Sequence, residues 1–466
     1  MSGRAQELPP AAETRRFGRA AGLLSIGVGF AGLLTYVYFA VASHGLSEVD
    51  YGEIVVLWSA VYITVATIFR PVEQLLSRGI AEHHAHGFPI GKPLRVAAKI
   101  QVAVAVAFTL LALALRGPLQ DDLLSGDQTL YWILVVAVAA FGVTLFARGF
   151  LAGSRQFGLY AGLLIAEACV RLVFAVALAV GIAHGQDVVA LGIAAAPILS
   201  LLIIVPLLGL RGGTPPEPDS ANQPSTQAPR AAYQDFTLAY GGGFAAAVMA
   251  MMISEQVFLN AGPLIVRGVE GVAAAGFIFN VFMLARAPVL LFQATATSLL
   301  PHLTRLRSGG RAAGIEAFRL SVRVTVGAIA AFTALTGGIV LLAGPELMEL
   351  AFGGSFTYDR AGLLIVTVGM GLYLSASTFN QAVMAQGRVG SAAACYLGSA
   401  LFFVAVAVSP ALDAIRRVEV GFAAGAALLC GLLFLVYRGS HAYGTHDVRE
   451  AGSTPRVQLT TLDGVE

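Results

Sequence analysis

Charge is scarce in this sequence. Only 12% of its 466 residues are Asp, Glu, Lys or Arg, whereas 57% are hydrophobic. A soluble protein carries about 25% charged residues, so this chain could not cover its own surface with groups that water solvates. The mean hydropathy of +0.77 points the same way, and lipid is the solvent expected for most of it. Cysteine is rarer still. Cys169, Cys395 and Cys430 sit singly in apolar runs, with no CxxC and no histidine at ligand spacing. That pattern gives no disulfide framework or zinc site and reads as small buried side chains. Lysine occurs only at positions 92 and 99, which suggests a high-GC genome and nothing mechanistic. No GxxxxGK[ST] string occurs, the nearest being "GFPIGK", so the chain is no ATPase by itself. The net charge of +2 and the scattered arginines offer no basic face to nucleic acid. A cleavable leader is not expected either. The run after "MSGRAQELPPAAETRRFGRA" is too long for a signal-peptide core and lacks a clear small-residue cleavage site.

What abounds is apolar runs of about 20 residues, the length that crosses a hydrocarbon core of roughly 30 Å. Twelve spans are predicted, near 17–42, 52–76, 94–115, 129–152, 158–183, 187–209, 234–262, 271–301, 317–343, 361–385, 389–410 and 417–438. The expected class is all-α: a polytopic membrane protein of two six-helix lobes, 17–209 and 233–438. A Pro-rich linker over 210–232 joins them, between polar tails at 1–16 and 439–466, the latter expected to be disordered. Arginine and lysine placement puts both termini in the cytosol, with Arg78, Arg95, Arg148, Arg155, Arg319, Arg323, Arg388 and Arg438 on that side. Arg416 and Arg417 break the rule. The halves echo each other: "FARGFLAGSRQFGLYAG" lines up with "FNQAVMAQGRVGSAAAC", and each lobe opens on a glycine-rich helix, "SIGVGFAG" and "YGGGFAAA". Small residues let helix backbones approach closely in lipid. An even number of spans per half implies a parallel repeat, and a repeat on this scale suggests a rocking transporter with its site between the lobes.

Three arginines remain inside spans: Arg70, Arg171 and Arg286. Arg286 lies about 15 residues from either end of its span, near the midplane. Arg171 is similarly central, with Glu167 at i−4 on the same helix face. Arg70 is placed about 12 Å up the second span from Arg78. Glu73, Gln74, Ser77 and Arg78 form a polar stripe leading to it, and Pro71 is free to bend the helix. Glu255, Gln256 and Asn260 mark the seventh span; Asn280, Gln293, Asn380 and Gln381 add uncharged polar groups. Burying an arginine costs from about 2.5 kcal/mol on insertion scales to over 10 in simulations, so each needs water or a partner. Two readings stand for each. One is a cationic cavity for a phosphate headgroup, which guanidinium grips bidentately; the other is snorkelling or a structural salt bridge. For Glu255 a coupling-ion role and a structural hydrogen bond both remain open. No cofactor is implied.

Several motifs carry a family resemblance. The stretch "EQVFLNAGPLIVRGVEGVAAAGFIFNVFMLARAPVLLFQATATSLLPHLTRL" holds Glu255 in the seventh span, then the small-residue start "AAAGF" of the eighth. Ala287 and Pro288 follow, with Pro301 near the cytosolic end. In the first half stand "GLSEVDYGEI" before span two, "LLSRGIAEH" with Arg78 at its exit, and "FLAGSRQFGLYAG" at the fourth-to-fifth turn. On these residues the chain, over roughly 17–438, resembles polysaccharide exporters, a branch of the multidrug/oligosaccharidyl-lipid/polysaccharide (MOP) flippase superfamily. The resemblance implies a MATE-like fold in the cytoplasmic membrane. It also implies alternating-access flipping of polyprenyl-diphosphate-linked oligosaccharides to the outer leaflet. H+ or Na+ as coupling ion and a polysaccharide polymerase or glycosyltransferases as partners would follow from it. The Pro-rich linker and polar tails are not part of the pattern. Rival classes are a drug/cation antiporter of the same fold, a membrane-embedded enzyme and a non-transporting scaffold. The enzyme reading is weakened by short outer segments, where Asp121, Asp122 and Asp127 read as a solvated loop rather than a metal site, and His83, His84 and His86 as polar surface.

Overall fold

The computed structural model describes residues 10–85, 87–210, 238–286, 311–356, 358–410 and 412–451. Among them there is no strand. Thirteen helices follow in order: α1 Pro10–Gly45, α2 Glu48–Ile68, α3 Arg70–Ala85, α4 Gly91–Ala114, α5 Gln128–Gly153, α6 Phe157–Ala179 and α7 Gln186–Leu210. Then come α8 Leu238–Glu270, α9 described over Val272–Arg286, α10 Arg311–Phe352, α11 Arg360–Ala385, α12 Val389–Val408 and α13 Ala414–Ala451. Eleven of the described helices are long and apolar enough to cross a membrane; the predicted eighth span is described only over the short Val272–Arg286. Gln293, Pro288 and Pro301 lie outside the described residues, as do His86, residues 211–237 of the linker region and the last fifteen positions, 452–466.

Helix is the only backbone solution open to such runs, because lipid offers no partner to a free N–H or C=O. Hydroxyls inside the runs are satisfied the same way. Thr35 donates to the Ala31 carbonyl at 2.9 Å, Thr109 to Ala105 at 2.8 Å and Thr367 to Leu363 at 2.7 Å. Helices that begin at the predicted outer end are capped by side chains: Ser47 accepts from Asp50 N, Asp127 from Thr129 N and Leu130 N, and Asp359 from Gly362 N.

Three boundaries differ from expectation. The second span does not run on to 76. Phe69 breaks it, because Pro71 has no N–H to return to the Thr67 carbonyl and its ring crowds that oxygen. At the other end, α13 continues past 438 to Ala451, so part of the expected disordered tail is helical; α1 likewise starts at Pro10, inside the expected N-terminal tail.

The turns after α5 and α11 share one geometry. Arg155 N bonds Ala152 O and Gln156 N bonds Leu151 O, while Gly387 N bonds Met384 O and Arg388 N bonds Val383 O. Both are Schellman closures, with Arg155 at φ 56° and Gly387 at φ 79° in the left-handed region. The echo between the halves therefore has a backbone counterpart, one residue out of the string-on-string register. Helices α1 to α7 pack chiefly on one another, as do α8 and α10 to α13. Close approach between α1 and α6 relies on Gly27, where a Cβ would fall 2.5 Å from that of Ala161.

Candidate functional site

Seven charged side chains form one series that runs from the first bundle to the second. It starts inside the first. Arg171, only 2% exposed, lies with its guanidinium 4.6 Å from the Trp58 ring centroid and donates to Glu167 Oε1 at 2.9 Å. Weaker bonds at 3.4 Å reach Tyr62 and Thr35. The other oxygen of Glu167 accepts from Arg148 Nη2 at 2.5 Å. One carboxylate thus serves two guanidiniums. Tyr160 donates to Glu73 Oε1 at 3.1 Å, and Glu73 lies within electrostatic reach of Arg148 and of Arg70. Arg70, half-buried at the start of α3, makes no side-chain hydrogen bond to a described residue. Across the seam, Glu255 of α8 is within electrostatic reach of both Arg70 and Arg286. Arg286 donates to the Leu259 carbonyl, keeps a buried Nε without a partner, and has Tyr373 beside it. The order is Arg171, Glu167, Arg148, Glu73, Arg70, Glu255, Arg286: signs alternate, and one positive charge is in excess.

This arrangement corrects two placements. Arg148, expected as a cytosolic flank, lies within α5 with its side chain 12% exposed and bonded to Glu167. The sequence signal was present: Phe146 and Phe150 bracket Arg148, and α5 runs on to Gly153. Asn280, expected among the cavity polar groups, is fully buried and accepts a hydrogen bond from the Tyr51 hydroxyl of the opposite bundle. It lies nearer the predicted outer end than Arg286, where the bundles touch. Phe39 packs on Phe279 at 4.5 Å between ring centroids, Tyr51 on Phe356 at 5.2 Å and Tyr36 on Phe352 at 5.5 Å. Arg267 reaches Ser125 Oγ at 3.5 Å. Gly52 makes the fit possible, since a Cβ there would fall 2.1 Å from the Val272 carbonyl oxygen. Gly52→Val is therefore expected to prop this end open, overpacking of this kind costing about 1–3 kcal/mol. The check is a cysteine at Ala275, buried in α9, in a background lacking the native cysteines. Gly52→Val should raise its labelling by an impermeant thiol reagent added from outside. Equal labelling with and without Gly52→Val would refute the seam.

Some other polar groups are satisfied locally, whereas Asn380 Oδ1 is buried without a partner among the described residues. Asn260 donates to Gln256 at 2.9 Å, and Arg78 pairs with Glu82 at 2.7 Å on an exposed face. The two arginines that broke the orientation rule are held at helix ends. Arg416 bonds Asp359 at 3.0 Å and Glu419 at 2.9 Å, and Arg417 donates to the Ser409 carbonyl at 2.9 Å. Burial raises the Asp359 pKa, but the bonds from Arg416 and the Gly362 N–H outweigh it and hold the carboxyl below its usual range. A depressed folded pKa stabilises above the unfolded value of about 3.9 and loses that stability as pH falls through the folded one. Thermal stability should therefore fall below about pH 4. Asp359→Asn should blunt that acid limb while lowering stability at neutral pH; an identical pH profile would refute the assignment.

No protein-family model matches the chain, and no curated protein matches its sequence. Solved structures do. A multidrug resistance MATE family transporter of the MOP superfamily in its inward-facing conformation superposes with a TM-score of 0.63 at 13% identity, over 93% of this chain and 100% of that one. The outward-facing conformation of such a transporter gives 0.52 at 16% identity, over 94% and 97%. The Vibrio cholerae MATE transporter VcmN in its bent form gives 0.56 at 14% identity, over 92% and 98%. Almost the whole chain is matched in each case. This polytopic all-helical protein has the fold of the MATE transporters.

Proposed function

We propose that the chain is a flippase. It moves a polyprenyl-diphosphate-linked oligosaccharide from the inner to the outer leaflet of the cytoplasmic membrane by alternating access. The observation that carries this reading is the pair Arg70 and Arg286. They come from opposite bundles and both lie within electrostatic reach of the carboxylate of Glu255, so their excess positive charge suits a diphosphate, which guanidinium binds bidentately. Glu255 offsets the repulsion between the two when no anion is bound and is the group a coupling H+ or Na+ would neutralise. Arg171, tied to Glu167, and Arg148 set the potential of the approach rather than gripping the ligand. In this reading residues 17–209 and 233–438 are lobes that rock about the seam at Tyr51 and Asn280, 210–232 links them, both termini are cytosolic, and the chain is a transporter rather than an enzyme. A polymerase or glycosyltransferases of the same glycan would act beside it.

The fold neighbours favour a second reading, a multidrug antiporter, because two of them are multidrug resistance transporters. Deleting the gene and identifying what accumulates separates the two. A polyprenyl-linked glycan trapped on the inner leaflet supports the flippase, whereas unchanged glycan with heightened sensitivity to cationic drugs supports the antiporter.

A further inference from the structure

A second cationic site lies away from the charge chain, at the end of the second bundle where the apolar span of α10 begins and those of α11 and α13 end. Arg319 and Arg323, one turn apart on α10, and Arg438 of α13 surround a cavity of about 570 Å³ with Phe379, Phe434 and Tyr437 in its wall. The rings form a continuous surface: Phe379 stands 5.4 Å from Phe434 and 5.8 Å from Tyr437. All three arginines are exposed, and among the described residues none has an ion pair or hydrogen bond. The nearest acid on α10, Glu316, is exposed and forms no ion pair with them. Three unpaired guanidiniums close together repel one another and attract an anion.

We propose that this cavity binds the phosphate headgroup of an anionic phospholipid, with an acyl chain running over the aromatic wall. Position argues for a lipid rather than a free ion. Arg319 and Arg438 stand at the ends of their apolar spans, Phe318–Phe352 and Ala414–Gly439. On the membrane side of the arginines, Leu320, Val324, Phe434 and Leu435 are exposed apolar groups. A soluble anion has no use for such a surface; a headgroup with a hydrocarbon tail uses both halves. Basic pockets between helices on the cytosolic side recognise anionic lipid headgroups by this combination, and arginine placement assigns this end to the cytosol. The bound headgroup ties α10 to α13. Helix α10 already touches α13 here through Phe318 and Tyr437, 6.5 Å between ring centroids, and the lipid reinforces that contact as a clamp on the inner end of α10. The inference is independent of the cargo of the transport cycle.

The test uses the full chain in neutral detergent, titrated with dioctanoyl phosphatidylglycerol and followed by native mass spectrometry and thermal shift. Phosphatidylcholine of the same chain length, inorganic phosphate and a polyprenyl phosphate are the comparison ligands. The chain should retain phosphatidylglycerol in preference to phosphatidylcholine. The triple variant R319A/R323A/R438A should bind it about a hundredfold more weakly. Lysine at the three positions should restore part of the binding and so exclude a folding defect. Equal binding by the triple alanine variant would overturn the proposal. So would stabilisation by inorganic phosphate equal to that by lipid, which would mark a free-anion site, or displacement of phosphatidylglycerol by trace polyprenyl phosphate, which would make the cavity a substrate site.

Discussion

Arg286→Ala and Arg70→Ala should each abolish transport of lipid-linked glycan while leaving the protein inserted and folded. The two arginines act electrostatically on Glu255 from opposite bundles, and neither guanidinium is saturated. Arg70 has no side-chain hydrogen bond among the described residues, and Arg286 keeps a buried Nε without a partner. A diphosphate between them would supply the missing acceptors. Removing one partner of a buried, hydrogen-bonded charge pair costs about 2–5 kcal/mol, a loss of tens to thousands in affinity. Arg70 makes no side-chain hydrogen bond to a described residue and Arg286 donates only to the Leu259 carbonyl among them, so the fold should tolerate the loss of either. Lysine at either position keeps the charge but loses the planar fork, so partial activity is expected. Flipping assayed with a fluorescent lipid-linked oligosaccharide in vesicles decides the matter. Both alanine variants transporting at the unmodified rate would end the cationic-site mechanism. Loss of folding in either one would move that arginine into the structural class.

Glu167→Ala should destabilise the fold by about 3–5 kcal/mol. Its two oxygens are the only carboxylate bonds of Arg148 and Arg171 among the described residues, at 2.5 Å and 2.9 Å. Alanine would leave two guanidiniums inside the first bundle with no bonded carboxylate, and Trp58 and Tyr62 cannot replace one. Removing one member of a buried ion pair is costly because the charge left behind has lost both water and partner. Glu167→Gln keeps an acceptor oxygen and should lose less. Replacing Arg171 as well, in Glu167→Gln/Arg171→Met, should recover part of the loss, since an apolar side chain of similar length pays no desolvation. Thermal unfolding of the purified chain in detergent measures all three. A Glu167→Ala variant within about 1 kcal/mol of the parent would show that water or lipid phosphate compensates the arginines.

The legible and illegible parts of the site divide by distance along the chain. Glu167 and Arg171 could be paired from the sequence because they are one turn apart on one helix, and helix periodicity alone makes them neighbours. The break before Arg70 was foreshadowed by Pro71, a local effect of ring and missing N–H. Arg148 was misplaced because its partner lies across the α5–α6 turn. A rule that assigns every arginine near a span end to the loop cannot tell a solvated flank from a side chain turned inward. Asn280 failed for a related reason. Polarity in an apolar run signals that some partner exists, but the partner is Tyr51, from the opposite bundle, and no local pattern points there.

By itself, the sequence determined the solvent, the helical class and the few charges that must be explained. Those follow from composition and run length, since lipid leaves a backbone no alternative to closing its own hydrogen bonds. Only the tertiary structure decided which charges meet. A helical repeat sets which residues share a face, but not which helix that face turns toward. The sharing of Glu167 by Arg148 and Arg171 depends on how two consecutive helices turn toward each other, while the approach of Arg70 and Arg286 to Glu255 and the sealing of the seam by Gly52 and Asn280 depend on helices far apart in the chain.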